Sequence, residues 1–166
     1  MCMEFCNGGE LFTLLTNMER WPESYARFYA AEIILALGYM HANGVMHRDL
    51  KSENLLMDRH GHLKLTDFGV SKGNIKDLKT GRTRTLMKGT IEYIAPEMIT
   101  EDEYGFSVDF YSLGLVIYEM LSAGEHPFKL SERKTQEDKI DDKLHGRIEM
   151  KPYFSKNAVN LLEGLT

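Results

Sequence analysis

The sequence has few cysteines, no excess of positive charge and no long apolar segment. Its two cysteines, Cys2 and Cys6, cannot build a disulfide framework or a zinc site with two paired ligands, which favours a reducing cytoplasmic or nuclear location. The 20 Lys and Arg stand against 25 Asp and Glu, which argues against a nucleic-acid partner. No apolar run approaches the roughly 20 residues of a membrane helix, and the N-terminus lacks a signal-peptide layout. We therefore expect an intracellular protein with no membrane span.

The 166 residues suit one domain, because a chain of this size buries roughly two-thirds of its unfolded surface. Apolar residues at helical spacing predict a helix over residues 22–42, with Pro22 near its first turn. Residues 106–121 are apolar almost all round, which predicts a helix that runs through the core. Asp109 in that helix therefore needs a buried partner.

Short β segments and turns separate these helices. Residues 54–57 and 62–66 have strand-like composition and flank a turn, which predicts a hairpin. Residues 1–5 are apolar and end at Asn7-Gly8-Gly9, which predicts a strand followed by a turn. Residues 70–95 form a polar, aperiodic segment too long for an ordinary connection, and such loops are functional or disordered. The last helical pattern, 155–166, stops without a cap, so we expect a truncated chain.

Three short motifs follow one another along the chain: His47-Arg48-Asp49-Leu50-Lys51-Ser52-Glu53-Asn54, Asp67-Phe68-Gly69 and Ala95-Pro96-Glu97. Each motif alone has an ordinary explanation as a turn or a helix start. Together they have a chance frequency on the order of 10⁻¹⁴ at average residue usage. They resemble the catalytic loop, the metal-binding triplet and the end of the activation segment of eukaryotic protein kinases.

The resemblance implies the larger, C-terminal lobe of the kinase fold, mostly α with short β hairpins. It implies a hinge strand at residues 1–6, the lobe itself at 7–166 and an activation segment at 67–97. A Gly-rich phosphate loop, a strand Lys and a helix Glu, which the smaller lobe supplies in the family, do not occur in the sequence. We therefore expect a partial kinase domain whose C-terminal helices are also truncated.

The catalytic roles follow from the needs of phosphoryl transfer, which depends on positioning and on neutralising phosphate charge. The resemblance implies that Asp49 accepts the proton of the substrate hydroxyl and that Lys51 neutralises charge on the transferred phosphate. It implies that Asn54 and Asp67 supply hard oxygen ligands to Mg²⁺. The cofactors expected are ATP and Mg²⁺.

The segment that begins at Met3 resembles the adenine-holding strand of the family and the helix after it. Glu4 and Cys6 would offer main-chain hydrogen bonds to adenine, Met3 and Leu56 would line the pocket, and Glu10 would face the ribose. The nucleotide contacts implied by the resemblance are Met3, Glu4, Cys6, Glu10, Lys51, Glu53, Asn54, Leu56 and Asp67.

The substrate class is implied by Lys51 and by Thr90, which looks like the threonine that contacts the base and the lysine in serine/threonine kinases. The chain most resembles the AGC group, which includes the cyclic-AMP-dependent kinase. Acids at Glu10, Glu53 and Asp138 would attract basic residues before the phosphoacceptor of protein substrates. The alternative is a solvated acidic face.

A regulatory switch is also implied. Arg48 and Lys72 would clamp a phosphate that an upstream kinase adds to Thr85, which would order the activation segment. Thr83 is the rival phosphosite, and an unmodified flexible loop is the alternative.

Two functions remain open at this point. The chain is a piece of an ATP-dependent serine/threonine kinase, inactive by itself, or it is a non-catalytic kinase lobe that binds substrates or regulators. The resemblance also gives His47 a structural contact with Phe68, whereas the other histidines lack metal-ligand spacing and are expected to be ordinary surface or packing residues. Glu97 lacks the arginine partner that the family supplies.

Overall fold

The computed structural model describes residues 3–18, 20–75, 83, 89–100, 103–128 and 135–166. Its helices are α1 (Leu11–Thr16), α2 (Glu23–Ala42), α3 (Glu97–Thr100), α4 (Ser107–Leu121), α5 (Gln136–His145) and α6 (Lys156–Leu165). Its antiparallel strands are β1 (Leu55–Met57) and β2 (Leu63–Leu65). The described residues thus form a mostly helical fold with one small hairpin, in agreement with the fold class predicted from the sequence.

Helix α4 is the centre of the core. Its residues are buried on all sides, as their continuous apolar pattern predicted, and α4 packs against both α2 and α6. Helix α2 covers the predicted range almost completely and buries one face, with Ile33 and Leu37 at its middle. The two longest helices therefore fix the platform on which the loops rest.

The hairpin forms where it was predicted, and its turn is closed by Asp58. One oxygen of that carboxylate, Oδ1, accepts hydrogen bonds from the backbone N–H groups of His60 and His62, at 2.8 and 3.0 Å. Beyond the ladder, the N–H of Thr66 donates to the carbonyl of Asn54 at 3.0 Å. The hairpin therefore brings the end of the first motif next to the start of the second.

The strand predicted for residues 1–6 is not present over its described part, residues 3–6, which have no regular secondary structure. Main-chain pairing starts only at Gly8, whose N–H donates to the carbonyl of Met57 at 2.9 Å. A Cβ at Gly8 would lie 2.6 Å from the Cβ of Met57, so glycine permits this close approach. The prediction was wrong because a strand needs a hydrogen-bonding partner, and none of the described segments pairs with residues 3–6.

The C-terminal part contains two helices, of which α6 lies within the helical pattern predicted over 155–166. Thr135 and Asp138 form a reciprocal capping box at the start of α5, and the Ser155 hydroxyl accepts from the N–H of Ala158 at the start of α6. Among the described helices, none combines the length and the apolar composition needed to cross a bilayer.

Candidate active site

The loop that carries the first motif is attached to the core by Asp109 of α4, which is fully buried. Asp109 Oδ2 accepts from the N–H of His47 at 2.9 Å, and Oδ1 accepts from the N–H of Arg48 at 2.7 Å. These bonds are the buried partners that the sequence required. His41 Nε2 adds a third contact to Oδ2 at 2.7 Å, so this histidine, expected to be ordinary, helps to hold the carboxylate.

Two non-glycine residues of the site have left-handed backbone conformations. Arg48 has φ of 70° and Asp67 has φ of 59°. Such conformations cost of order 1 kcal/mol or more and persist only where the surroundings enforce them. At Arg48 the bond from its N–H to Asp109 provides that enforcement. The strain at both positions is typical of a functional site.

Asp49 lies at the centre of a connected group of polar side chains. Its Oδ1 accepts from the N–H of Thr90 at 2.7 Å, and Lys51 Nζ lies 3.4 Å from its Oδ2. The same ammonium donates to Thr90 Oγ1 at 2.7 Å. The structure thus brings Asp49, Lys51 and Thr90 into direct contact, with Asp49 only 8% exposed. A carboxylate held in this way keeps its free lone pairs in a fixed direction.

Asn54 and Asp67 follow from the hairpin geometry, since they lie at its open end. Asn54 Nδ2 donates to the carbonyl of Asp49 at 2.8 Å and to its Oδ2 at 3.2 Å, which leaves the amide oxygen facing away from Asp49. Asp67 is exposed, and its Oδ1 accepts from the N–H of Gly69 at 3.1 Å. An amide oxygen and an exposed carboxylate are hard donors that suit Mg²⁺, which needs few protein ligands.

No cluster of three or more His, Cys, Asp and Glu that could hold a metal occurs among the described residues. His47 in particular uses both ring nitrogens for protein contacts. Its Nε2 lies 3.0 Å from the carbonyl of Thr66, and its Nδ1 accepts from the N–H of Asp49. The ring also meets Phe68 edge-on at 5.5 Å. His47 is therefore the structural residue that was expected.

The residues implied for the adenine side are far more exposed than residues 47–54. Met3 is 71% exposed, and Glu4 Oε1 lies 3.7 Å from Lys64 Nζ. Cys6 is a half-buried free thiol. Glu10 and Leu56 are brought together by an isolated backbone bridge. On the implied adenine side, Glu10 and Leu56 are therefore held together, whereas residues 3–5 are largely exposed.

Arg48, implied as a phosphate clamp, already has partners in this structure. Its guanidinium donates to the carbonyl of Val70 and, at 3.1 Å, to the hydroxyl of Tyr104, and the residue is 5% exposed. Lys72 takes part in a backbone bridge with Met46, and the rival phosphosite Thr83 in one with Tyr104. Thr85 lies outside the described residues, so its implied role is not tested.

Sequence reasoning missed a second buried acid of α4, Glu119, which is 2% exposed. Its Oε1 accepts from the Tyr93 hydroxyl at 2.5 Å, whereas Oε2 is buried without a hydrogen-bond partner in the structure. Burial raises the pKa of this carboxyl to about 7, and the nearby charge of Glu53 adds to the shift. The signal was available, because the argument that Asp109 needs a partner applies equally to Glu119.

Ser52 links this acid to the loop of residues 47–54. It is fully buried, and its hydroxyl lies 3.5 Å from the Tyr93 hydroxyl and 3.4 Å from Glu53 Oε2. The carboxylates of Glu53 and Glu119 thus lie at the two ends of a chain formed by the hydroxyls of Ser52 and Tyr93. Asp138, the acid expected to join Glu53, instead has Oδ2 engaged with the backbone and hydroxyl of Thr135 in the α5 cap.

Glu97, for which the sequence offered no arginine, accepts a hydrogen bond from the Ser107 hydroxyl at 3.3 Å. This bond joins the start of α3 to the start of α4.

Comparison with known proteins identifies the family to which the chain belongs. The chain matches the protein kinase domain over residues 1–166. A cAMP-dependent protein kinase catalytic subunit of Arthrobotrys oligospora is 45% identical over 171 residues, which cover 99% of this chain and 30% of that protein. A subunit of the same description from Schizosaccharomyces pombe is also 45% identical, with 99% and 30% covered.

A third relative is the serine/threonine-protein kinase akt-2 of Caenorhabditis elegans, 45% identical over 166 residues, with 98% of this chain and 30% of that protein covered. The chain thus spans about 30% of the length of these three relatives. Since the family match covers every residue and the relatives are serine/threonine kinases of the AGC type, the chain belongs to the protein kinase domain family, in its AGC-like serine/threonine branch.

Proposed function

We propose that the chain is the larger lobe of an ATP-dependent serine/threonine protein kinase, with the hinge at residues 1–6 and the activation segment at 67–97. The observation that carries the proposal is the contact of Asp49 with both Lys51 and Thr90. Thr90 belongs to the activation segment, which ends at α3. Its contact with Asp49 therefore joins the proposed catalytic base directly to the segment that would lie beside a substrate. A binding module has no need of this arrangement.

In the proposed reaction, the free lone pair of Asp49 accepts the proton of a serine or threonine hydroxyl as its oxygen attacks the γ-phosphorus of ATP. The Lys51 ammonium, 3.4 Å from that carboxylate, stabilises the charge that develops on the transferred phosphoryl group. The Thr90 N–H and the Asn54 amide hold Asp49 in place. The site therefore works by positioning and by electrostatics, which phosphoryl transfer requires.

Asn54 and Asp67 are the residues proposed to hold Mg²⁺. The fit rests on their oxygens, since the Asn54 amide oxygen faces away from Asp49 and the Asp67 carboxylate is exposed. When bound, Mg²⁺ would screen the charges of the ATP phosphates. Leu56 and the segment from Met3 to Cys6 are proposed to receive the adenine, with Glu10 beside the ribose.

We further propose that protein substrates carry basic residues before the phosphoacceptor. The support is the pair of acids Glu53 and Glu119 beside the catalytic loop, of which Glu119 has one oxygen without a hydrogen bond. A guanidinium would satisfy that oxygen and neutralise both carboxylates. Glu10 remains in the proposal as an exposed acid at the other side of the loop.

Regulation by an upstream kinase at Thr85, with Arg48, Lys72 and Thr90 positioning the segment, remains a proposal. Because the Arg48 guanidinium is already bonded to Tyr104 and Val70, a phosphate on the segment would have to displace one of these contacts.

The second candidate is a non-catalytic lobe that engages kinase substrates or regulators. This candidate differs from the first in needing neither a Gly-rich loop nor a strand Lys of the Val-Ala-Ile-Lys type, which do not occur among the 166 residues. For the same reason we expect negligible turnover when this chain alone is incubated with Mg-ATP and a basic serine peptide.

A chimera separates the two candidates. The chain is fused to the C-terminus of the smaller lobe of the Schizosaccharomyces pombe relative, and transfer of ³²P from ATP to a basic serine peptide is measured. We expect transfer that is lost in the Asp49→Asn variant, with Asp58→Asn in the hairpin turn as the matched carboxylate control. A chimera that folds cooperatively, binds ATP and transfers no phosphate would favour the non-catalytic lobe.

A further inference from the structure

Besides the ion pair of Asp49 and Lys51, a second ion pair involves Glu92, two residues after the Thr90 that donates to Asp49. Lys139 Nζ lies 2.6 Å from Glu92 Oε1, and both side chains are only about one-quarter exposed, at 23% and 26%. Burial by itself would raise the pKa of Glu92, but the hydrogen bond from Lys139, a backbone hydrogen bond and the charges of Lys139 and His126 together outweigh it, and the pKa is lowered. The carboxylate is therefore ionised and matched by one cation.

The position of Glu92 places it beside the path of a substrate. Two residues earlier, the N–H of Thr90 donates to Asp49, and one residue later, the Tyr93 hydroxyl donates to Glu119. A tight turn joins these points, since the N–H of Tyr93 donates to the carbonyl of Thr90 at 2.8 Å. A peptide that brings a hydroxyl to Asp49 and an arginine towards Glu119 thus passes close to Glu92.

Helix stability does not explain a lysine at position 139. The residue lies in the first turn of α5, where the helix dipole favours acids such as Glu137 and disfavours cations. The favourable interaction of Lys139 is instead with Glu92, 47 residues away in the sequence. Because the pair is partly buried, salt screens it less than a fully exposed one.

We propose that Lys139 is a specificity-determining residue, which neutralises Glu92 and so removes one carboxylate from the surface that receives the acceptor peptide. This inference rests on the proposed kinase function. The chain would then select basic residues through Glu53 and Glu119, and would gain little from a further basic residue near Glu92. Lys139 occupies the place that the cationic side chain of a substrate would otherwise take.

The test is a binding measurement on the 166-residue chain. The parent is a fluorescein-labelled serine peptide with one arginine pair. It is compared with a set of derivatives, each of which carries one further arginine at a different position before the serine. Lys139→Gln should bind one of these derivatives about three- to fivefold tighter than wild type, as expected for a partly exposed ion pair. Its affinity for the parent peptide should change less than its affinity for that derivative.

Four further variants isolate the charge effect from a structural one. Lys139→Arg keeps the ion pair and should retain wild-type selectivity, and Lys139→Gln combined with Glu92→Gln should lose the gain. Lys151→Gln breaks another pair of the same 2.6 Å length, to Glu125, and should change no peptide preference. Lys139→Met repeats the first test with a different neutral side chain.

Two outcomes overturn the inference and can be told apart. If wild type prefers basic peptides and neither Lys139→Gln nor Lys139→Met gains affinity for any added arginine, Lys139 does not determine specificity and the proposed function stands. If wild type shows no preference for basic over neutral peptides, the proposed substrate class and this inference both fail.

Discussion

The two buried acids of α4 have the same chemistry and opposite surroundings. Asp109 is near the start of the helix and accepts two backbone N–H bonds as well as a contact from His41. Glu119, ten positions later, accepts from Tyr93 through one oxygen, whereas the other has no hydrogen-bond partner among the residues that the structure describes. A satisfied buried carboxylate stabilises a fold, whereas an incompletely satisfied one costs free energy. We infer that Asp109 anchors the loop of His47 and Arg48 to the core and that Glu119 binds a ligand.

The largest effect should come from breaking the anchor. Asp109→Asn replaces one accepting oxygen by an NH₂ group, which leaves the N–H of His47 or Arg48 unsatisfied in the core. We expect the free energy of unfolding to fall by about 3 kcal/mol. Urea unfolding followed by circular dichroism measures this loss.

Hydrogen exchange locates the Asp109 effect. The amides of His47 and Arg48 should lose protection in the variant before those at the middle of α2 do. In an active kinase that contains this chain, loss of activity in Asp109→Ala with unchanged protection of the loop would contradict the anchoring role.

The other buried acid should behave in the opposite way. Since the folded pKa of Glu119 is raised to about 7 from 4.5, its contribution to stability is complete below about pH 4.5 and is lost as the pH rises through 7. Glu119→Gln removes this loss and keeps an acceptor for Tyr93. We expect the variant to be more stable than wild type by about 1–3 kcal/mol at pH 8.

The pH dependence is the control for this prediction. Parallel urea titrations should show that the advantage of Glu119→Gln disappears at pH 4.5. An advantage of equal size at both pH values would mean that packing, and not the carboxylate charge, causes it.

A smaller effect is expected on ligand binding. If Glu119 is kept for a cation, Glu119→Gln should weaken binding of a peptide with an arginine pair about tenfold while it stabilises the fold. Fluorescence anisotropy with arginine and norleucine versions of the peptide separates charge from shape. Equal weakening of both versions would argue against an electrostatic role.

The smallest effect is expected from an exposed acid of the same region. Glu125 pairs with Lys151, and its side chain is 63% exposed. Glu125→Gln should leave both the unfolding free energy and peptide binding unchanged within experimental error, because exposed pairs contribute little. A clear loss in either measurement would show that exposure does not distinguish the effects of substituting these acids.

The sequence predicted those features that depend on local periodicity or on a fixed motif. Helices α2 and α4 and the hairpin follow from apolar spacing and turn residues, and the need of Asp109 for a partner follows from the cost of a buried charge. The polar contacts of His41 and the ion pair of Lys139 depend on which distant segments meet, which periodicity does not encode. The strand predicted at residues 1–6 failed for the same reason, since pairing requires a neighbour.

We propose that Asp49, Lys51, Asn54 and Asp67 form one magnesium-nucleotide site. The most direct test adds Mn²⁺-ATP, as a paramagnetic substitute, to the isotopically labelled chain and records the broadening of amide NMR signals. We expect broadening centred on Asn54 and Asp67 that is strongly reduced in Asp67→Asn. Broadening centred on the acidic helix α5, or unchanged in that variant, would contradict it.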